Sequence, residues 1–329
     1  MAVRIAVTGS IATDHLLIFP GRFKEQLLTE QLDRVSLSFL ADRLDVRRGG
    51  VAANIALGLG RFGLRPVLVG AAGVDFAEYD AWLREHGVDT SSVRVSETLH
   101  TARFVCTTDA DQNQIATFYA GAMAEAGRID LGDVHRGGEP LDLVIVGADD
   151  PGAMLRHTTT AHALGVPVAA DPSQQLARLD AEQTRRLVDG AHLLFTNEYE
   201  AALLLERTGW SRDEVLARVG TWIVTRGADG VSLAAAGTKT RDIPAVRTDD
   251  VVDPTGVGDA FRAGFLAGLA WRLPYERAAQ LGCALATVVI ESVGPQEYKL
   301  LAADLLARIG GAYGHRSAED VASRLAVTP

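Results

Sequence analysis

Short apolar runs alternate with helix-patterned stretches along most of this 329-residue chain, and that alternation narrows the fold more than any other feature. Residues 3–8, 66–69, 141–146, 167–170, 192–195 and 221–225 are apolar nearly throughout. Strands covered on both faces need such runs, because neither face meets water. Between them, 52–62, 76–86, 152–164, 182–188, 199–208 and 256–271 carry helical patterns. Strand and helix in alternation predict an α/β chain: a parallel sheet with helices on both faces. Sheets of this kind take ligands at the carboxyl ends of their strands.

Two segments break the alternation. Residues 14–48 hold alternating runs at 14–19, 34–39 and 43–47 without a strong helix. Residues 99–119 read as a hairpin, 103–107 and 114–119, around the polar turn Asp109-Ala110-Asp111-Gln112-Asn113. Both are expected to form a small antiparallel β lid over a site; two ordinary decorated loops are the alternative. The expected division is a core of 1–13, 49–98 and 120–329, with a lid of 14–48 and 99–119. Residues 318–325 read as a short surface helix.

Composition excludes several classes. The chain is 47% hydrophobic and 22% charged, as a soluble globular protein is. A net charge of −10 argues against a general nucleic-acid binder, which shows a basic face. No apolar run approaches the length of a membrane span, and no signal-peptide pattern opens the chain. A cytoplasmic protein without membrane or nucleic-acid partners is expected. Cys106 and Cys283 lack any pair spacing and are expected to be reduced. The eight histidines show no zinc-ligand spacing, and no Walker-type phosphate loop occurs.

One segment carries chemistry by itself. Asp253-Pro254-Thr255-Gly256-Val257-Gly258-Asp259 opens a long small-residue helix. A helix start offers free N–H groups and the positive end of the dipole to an anion. Gly256 and Gly258 let a phosphate approach the backbone closely. Asp259 would stand beside that phosphate, where a carboxylate's useful work is to take a proton from an attacking hydroxyl. These residues point to phosphoryl transfer.

Other motifs have two readings each. Gly50 and Asn54, at a second glycine-pair helix start, either bind sugar hydroxyls or form a tight turn with a capping Asn. Asp14 either accepts from vicinal hydroxyls or caps a turn. Asn197 and Glu200 share one helix face at a strand's carboxyl end. They either touch phosphate and Mg²⁺ or form a capping box. Residues 225–230 join two strands as a glycine turn, from which Thr225 could reach a nucleotide phosphate. Gly58-x-Gly60-x-x-Gly63 matches a dinucleotide fingerprint by letters only: it closes a helix instead of opening one, and Gly63 reads as a C-terminal cap.

Together, the Gly-Gly…Asn motif near 50, Asn-x-x-Glu at 197–200, Thr-x-Gly-x-x-Gly at 225–230 and Asp-x-Thr-Gly-x-Gly-Asp at 253–259 resemble the ribokinase-like (PfkB) carbohydrate kinase family. The resemblance covers 3 to about 311. Phrases at 9–15, 36–40, 100–104, 171–179 and 253–265 are similar to the adenosine kinases of actinobacteria within it. The resemblance implies a ribokinase-like fold and ATP-dependent phosphorylation of the 5′-hydroxyl of adenosine, giving AMP and ADP. It makes Asp259 the base and Gly256, Val257 and Gly258 the backbone donors to the transferring phosphoryl. Asp14, Gly50 and Asn54 hold the ribose. Ser10, Ser38, Gln174 and Gln175 line the nucleoside pocket, and Phe104 and Phe118 pack on the purine. Asn197, Thr225, Arg226, Gly227, Ala228, Asp229 and Gly230, with Gly258, hold ATP. Glu200 serves Mg²⁺ through water, and Asp253 and Thr255 match a K⁺ site. Pro254 departs from the family there, removing a hydroxyl and an N–H. A homodimer through the lid is also implied.

The pocket candidates include neither Arg nor Lys, and strand alternation should turn Arg103 away from the face of Phe104. Stacked aromatics suit a flat base, at about 1–3 kcal/mol each. The competing readings are another sugar or nucleoside kinase of the family, acting on ribose or fructose, and a non-catalytic nucleotide-binding regulator.

Overall fold

The computed structural model describes residues 3–26 and 37–325. The first third of the chain runs β1 (Ile5–Thr8), β2 (Ala12–Ile18), α1 (Phe23–Gln26), β3 (Arg43–Gly49), α2 (Val51–Arg61), β4 (Val67–Val69), β5 (Ala71–Ala72), α3 (Ala77–Glu85), β6 (Arg94–Val95), β7 (Ala102–Thr108) and β8 (Gln114–Tyr119). There follow α4 (Leu131–Arg136), β9 (Leu143–Val146), α5 (Pro151–Ala163), β10 (Val168–Ala170), α6 (Ala181–Val188), β11 (Leu193–Asn197), α7 (Glu198–Thr208), α8 (Arg212–Leu216) and β12 (Thr221–Thr225). The chain ends with β13 (Val231–Ala234), β14 (Arg241–Ile243), α9 (Val257–Ala270), α10 (Tyr275–Ile290), α11 (Ala302–Tyr313) and α12 (His315–Leu325).

An eight-stranded sheet, ordered β14-β13-β12-β11-β10-β9-β1-β4, forms the centre. From β4 to β12 its neighbours are parallel; β13 and β14 add an antiparallel edge. The six expected apolar runs are its parallel strands. Their side chains enter separate cores on the two faces: Ile5 and Val7 join α2 and α9, while Ala6, Val144 and Val146 join α5. Helix α10 escaped the sequence pattern because it is buried nearly all round and its end, Thr287-Val288-Val289-Ile290, is strand-like. Packing overrides local propensity there.

Two helices from opposite ends of the chain approach unusually closely. A Cβ added at Gly58 of α2 would lie 2.5 Å from Ala263 Cβ of α9. On the other side of α9, a Cβ at Gly264 would lie 2.7 Å from Gly282 Cα of α10. The small residues of α9 are therefore what let three helices pack at backbone contact. One turn before the Gly58–Ala263 contact stand Asn54 and Asp259. Gly58 and Gly60 lie inside α2, and Gly63 (φ +75°) follows its C-cap Phe62, so the dinucleotide reading is excluded.

The second sheet is ordered β3-β2-β7-β8. It is mixed, not antiparallel as expected: β2 and β7 run parallel, while β3–β2 and β7–β8 are antiparallel. The chain leaves the core twice in the same sense, along β2 and along β7, so the two outgoing strands lie side by side. Strand β2 also begins at Ala12, which places Asp14 inside a strand and not after a turn. Of the expected strand at 34–39, residues 34–36 lie outside the described residues, and 37–39 form no strand. Phe39 instead packs on Phe19 and Phe23, with ring centroids 5.0 and 4.9 Å apart.

Register sorts the side chains of this sheet. Arg47, Asp14, Phe104 and Phe118 are successive cross-strand partners and share one face. Arg48, Thr13, Arg103 and Tyr119 share the other. Arg103 points away from Phe104, as alternation requires, and pairs with Asp75 at 2.5 Å. Both cysteines are free and buried. Among the described residues no helix is long and apolar enough to cross a membrane.

The α2–α9 contact has a testable consequence. Gly58→Val should lower the unfolding free energy by about 2 kcal/mol, the usual order for overpacking. Urea denaturation followed by circular dichroism measures it; an unchanged midpoint would show that the helices can separate freely.

Candidate active site

The start of α9 is built to stay open. Its N-cap, Gly256, is left-handed (φ +76°), and no side chain caps the helix. A Cβ at Gly256 would lie 2.4 Å from Pro295 Cβ, so only glycine fits. By contrast α5, α6, α7 and α8 are capped by Asp150, Asp180, Asn197 and Ser211. The first turn of α9 thus presents N–H groups that no side chain takes, with Gly258 exposed beside them.

Asp259 lies in that first turn. Its Oδ2 accepts a 2.8 Å hydrogen bond from Asn54 Nδ2 on α2. Burial pushes the carboxyl up to about 7, although Asn54 and Arg262 favour the charged form; Asp171 and Glu200 add to the rise. Arg262, one turn along α9, is 5% exposed. Its Nη2 donates to Asp171 Oδ1 (2.6 Å) and its Nη1 to the Gly258 carbonyl (3.0 Å). It thereby ties the α9 start to the loop after β10. A charged residue inside an otherwise apolar helix was the signal that could have found Arg262.

On the side of the lid sheet, Asp14 lies against Gly49, and a Cβ there would sit 3.1 Å from Asp14 Oδ2. Burial raises the Asp14 carboxyl to about 6, against the pull of Arg47. Gly50 (φ +95°) has backbone 2.6 Å from where a Cβ would be, so it is obligatory. Ser10 Oγ accepts from Val51 N at 3.0 Å, which caps α2. Phe104 is half-buried and Phe118 is 50% exposed on the Asp14 face. Gln175 is buried with its Oε1 unpartnered, whereas Gln174 is exposed and accepts from Ser173 Oγ. Ser38 is exposed on the irregular stretch before β3.

Arg47 corrects the expectation of a pocket without Arg or Lys. It shares the Asp14 face, and its Nη1 donates to Asp253 Oδ2 at 2.8 Å. Asp253 also accepts from Gly294 N (3.0 Å) and Thr255 N (2.9 Å), and these bonds hold its carboxyl below the usual carboxylate range. Both oxygens of Asp253 are thus engaged, one by a guanidinium. The expected K⁺ site at Asp253 and Thr255 does not fit this donor set.

The nucleotide candidates line the adjacent ends of β11 and β12, where Asn197 and Thr225 are register partners. Asn197 and Glu200 form the reciprocal capping box: Asn197 Oδ1 accepts from Glu200 N (2.7 Å), and Glu200 Oε2 accepts from Asn197 N (2.8 Å). Burial raises the Glu200 carboxyl, against the pull of Arg262, the Asn197 backbone and the Ser173 side chain. No group of three metal-ligating side chains exists among the described residues. The donors present fit a Mg²⁺ carried in by nucleotide phosphates and touched by one carboxylate through water. Residues 225–230 turn tightly, with Arg226 N donating to Gly230 O at 2.7 Å and Gly227 and Gly230 at positive φ. Arg226 pairs with Asp242, and Ala228 and Asp229 are exposed on the turn.

Comparison with known proteins places this chain in a family. Residues 9–301 match the description "pfkB family carbohydrate kinase". A nucleoside kinase of Methanocaldococcus jannaschii is 30% identical over 250 residues, 75% of this chain and 80% of that protein. A cytidine kinase of Thermococcus kodakarensis is 29% identical, over 75% of this chain and 88% of the relative. The structure of the Burkholderia thailandensis nucleoside kinase in complex with inosine superposes with a TM-score of 0.82 at 36% identity, covering 95% of this chain and 98% of that one. The chain therefore belongs to the pfkB family of carbohydrate kinases and has its ribokinase-like fold.

Proposed function

We propose that this kinase transfers the γ-phosphoryl group of ATP to the 5′-hydroxyl of adenosine, giving AMP and ADP in the cytoplasm. The observation that carries the reading is Asp259, held by Asn54 beside the open α9 start and on the side of a lid face bearing Asp14, Phe104 and Phe118. Asp259 takes the 5′-hydroxyl proton as the new O–P bond forms, and the bond to the β-phosphate oxygen breaks to release ADP. The N–H groups of Gly256, Val257 and Gly258 receive the charge on the phosphoryl oxygens. Asp14, Gly50 and Asn54 hold the ribose; Ser10, Ser38, Gln174 and Gln175 line the pocket; Phe104 and Phe118 cover the base. Asn197 and residues 225–230 hold ATP, with Glu200 toward its Mg²⁺. Potassium has no part in this reading, because Arg47 occupies Asp253. A sugar phosphate is disfavoured as acceptor, since both arginines on that face, Arg47 and Arg43, are already paired with carboxylates.

Gln175 Oε1, a buried acceptor without a partner, suits the 6-amino group of adenine. Inosine is the second reading, favoured by the 36% identical enzyme solved with it. A panel of adenosine, inosine, cytidine and ribose in an ADP-release assay separates these. Adenosine should lead, and Phe104→Ala should cost about tenfold or more in kcat/KM for adenosine while changing ribose little, from lost stacking of about 1–3 kcal/mol. Ribose outcompeting every nucleoside would sink the reading.

The base assignment has its own test. Asp259→Asn should reduce kcat by about 10²–10⁴-fold and still bind adenosine. In the parent, kcat/KM should fall about tenfold per unit as pH drops below about 7, because the protonated carboxyl cannot accept. The fall should steepen below about 6, where Asp14 also takes a proton. A flat profile from pH 8 to 5 would remove Asp259 as base.

A homodimer through the lid completes the proposal. The face opposite Asp14 carries exposed Leu44, Val46, Ile115 and Tyr119 on a four-stranded sheet. A second copy of that face is self-complementary and would bury the row. Sedimentation should give twice the 35.0 kDa chain mass, and Val46→Glu should release monomers. A monomeric parent at micromolar concentration refutes this part alone.

A further inference from the structure

Gln296 reaches the Asn54–Asp259 pair from the loop between α10 and α11, and it is fully buried (0% exposed). Its Nε2 donates to Asn54 Oδ1 (2.8 Å) and to Tyr79 Oη (2.5 Å). Its Oε1 accepts from Trp82 Nε1 (3.2 Å). Tyr79 Oη donates onward to the Gly49 carbonyl (2.8 Å). Tyr79 and Trp82 lie three apart on α3, so both face the same loop. Every donor and acceptor of the Gln296 amide is used.

A side-chain amide can exchange its oxygen and nitrogen without changing shape, so its partners decide which way it points. Asn54, between Gln296 and Asp259, has two self-consistent orientations. Nδ2 toward Asp259 needs only an acceptor oxygen and favours the ionised carboxylate; Oδ1 toward it requires a protonated one. Trp82 and Tyr79 break the tie: an indole N–H only donates, and Tyr79 Oη, its one proton given to the Gly49 carbonyl, only accepts. The Gln296 atom facing Trp82 must be Oε1. Nε2 then faces Asn54, which must turn Oδ1 to Gln296 and Nδ2 to Asp259. We infer that Gln296, oriented by Trp82 and Tyr79, is a positioning residue that sets the polarity of Asn54 and so holds Asp259 as a hydrogen-bond acceptor, ready to take a proton.

The inference rests on Asp259 being the base. The other charged groups facing Asp259 are Arg262 on its own helix, Asp171 after β10 and Glu200 on α7. Gln296→Glu touches none of them.

That substitution keeps the shape of the side chain and reverses one end of it. Both oxygens of an ionised Glu accept: one takes Trp82 Nε1, and the other draws Nδ2 of Asn54. Asn54 then offers Asp259 an oxygen, which favours the protonated acid. With adenosine and Mg·ATP at about pH 8, kcat should fall about 30-fold or more, within the range one acid–base group supplies. The KM for Mg·ATP should stay within about twofold, and the acid limb of kcat should move up by about one pH unit. Trp82→Phe or Tyr79→Phe alone leaves one tie-breaker in place; the double variant removes both and should lower kcat by about 3–10-fold.

A purely structural role would lower the melting temperature and leave the acid limb in place. A folded Gln296→Glu protein with kcat within about threefold of the parent, or with an unmoved acid limb, overturns the inference. If that variant does not fold, the Trp82→Phe/Tyr79→Phe double variant decides: unchanged kcat overturns it. Asp259→Asn separates the two failures. If Asp259→Asn turns over normally, the base reading falls; if it is inert while Gln296→Glu is active, only the role of Gln296 falls.

Discussion

The close approach of α2 and α9 at Gly58 and Ala263 is the constraint on which the site depends. The Asn54–Asp259 bond lies one turn back along both helices, so the same packing that buries Ala263 sets the Asn54–Asp259 distance. An uncapped helix start is a local weakness, since a lost cap costs about 1 kcal/mol. Helix α9 tolerates it because Ala260 to Gly268 are buried against α2 and α10. The open N–H groups exist because stability is supplied elsewhere along the same helix.

Charge is partitioned around this contact. Asp171, Glu200 and Asp259 stand together with Arg262, and Asp14, Asp253 and Glu297 with Arg47. Arg262 takes Asp171 and Arg47 takes Asp253. Asp14, Glu200 and Asp259 have no ion pair among the described residues, and burial raises all three. The two arginines thereby divide the carboxylates by task. The paired ones hold loops in place; the unpaired ones keep a high proton affinity, which a proton acceptor or a ligand for hydroxyls and hydrated metal needs.

Much of this was legible locally. Gly256 and Asp259 declare themselves because a left-handed N-cap and a first-turn carboxylate are properties of a few adjacent residues. The six parallel strands declare themselves because burial on both faces leaves no polar residue to hide the run. What was not legible is long-range. Arg47 and Arg48 are neighbours with opposite fates, one on Asp253 and the other on Glu78 and Trp82, and only strand register separates them. The lid was expected antiparallel because a hairpin is a local pattern, whereas the β2–β7 pairing joins residues some ninety positions apart. Gln296 follows a Gly-Pro turn with no periodicity at all, so its place beside Asn54 has no sequence signature.

Pro254 gains a physical account from the loop around it. Asp253 Oδ1 accepts from Thr255 N two residues on, which is an Asx-turn. Pro254 stands at the centre of that turn, where its fixed φ helps and its missing N–H is not needed. The turn delivers the chain into the left-handed Gly256 and the open helix start. Asp253 Oδ2 meanwhile binds Arg47 of β3 and the backbone of Gly294. One carboxylate therefore joins the lid sheet, the approach to α9 and the loop that carries Gln296. Arg47 is the register partner of Asp14, so a shift of the lid strand that moves one moves the other. The position of the second sheet and the geometry of the turn before α9 are in this way mechanically coupled.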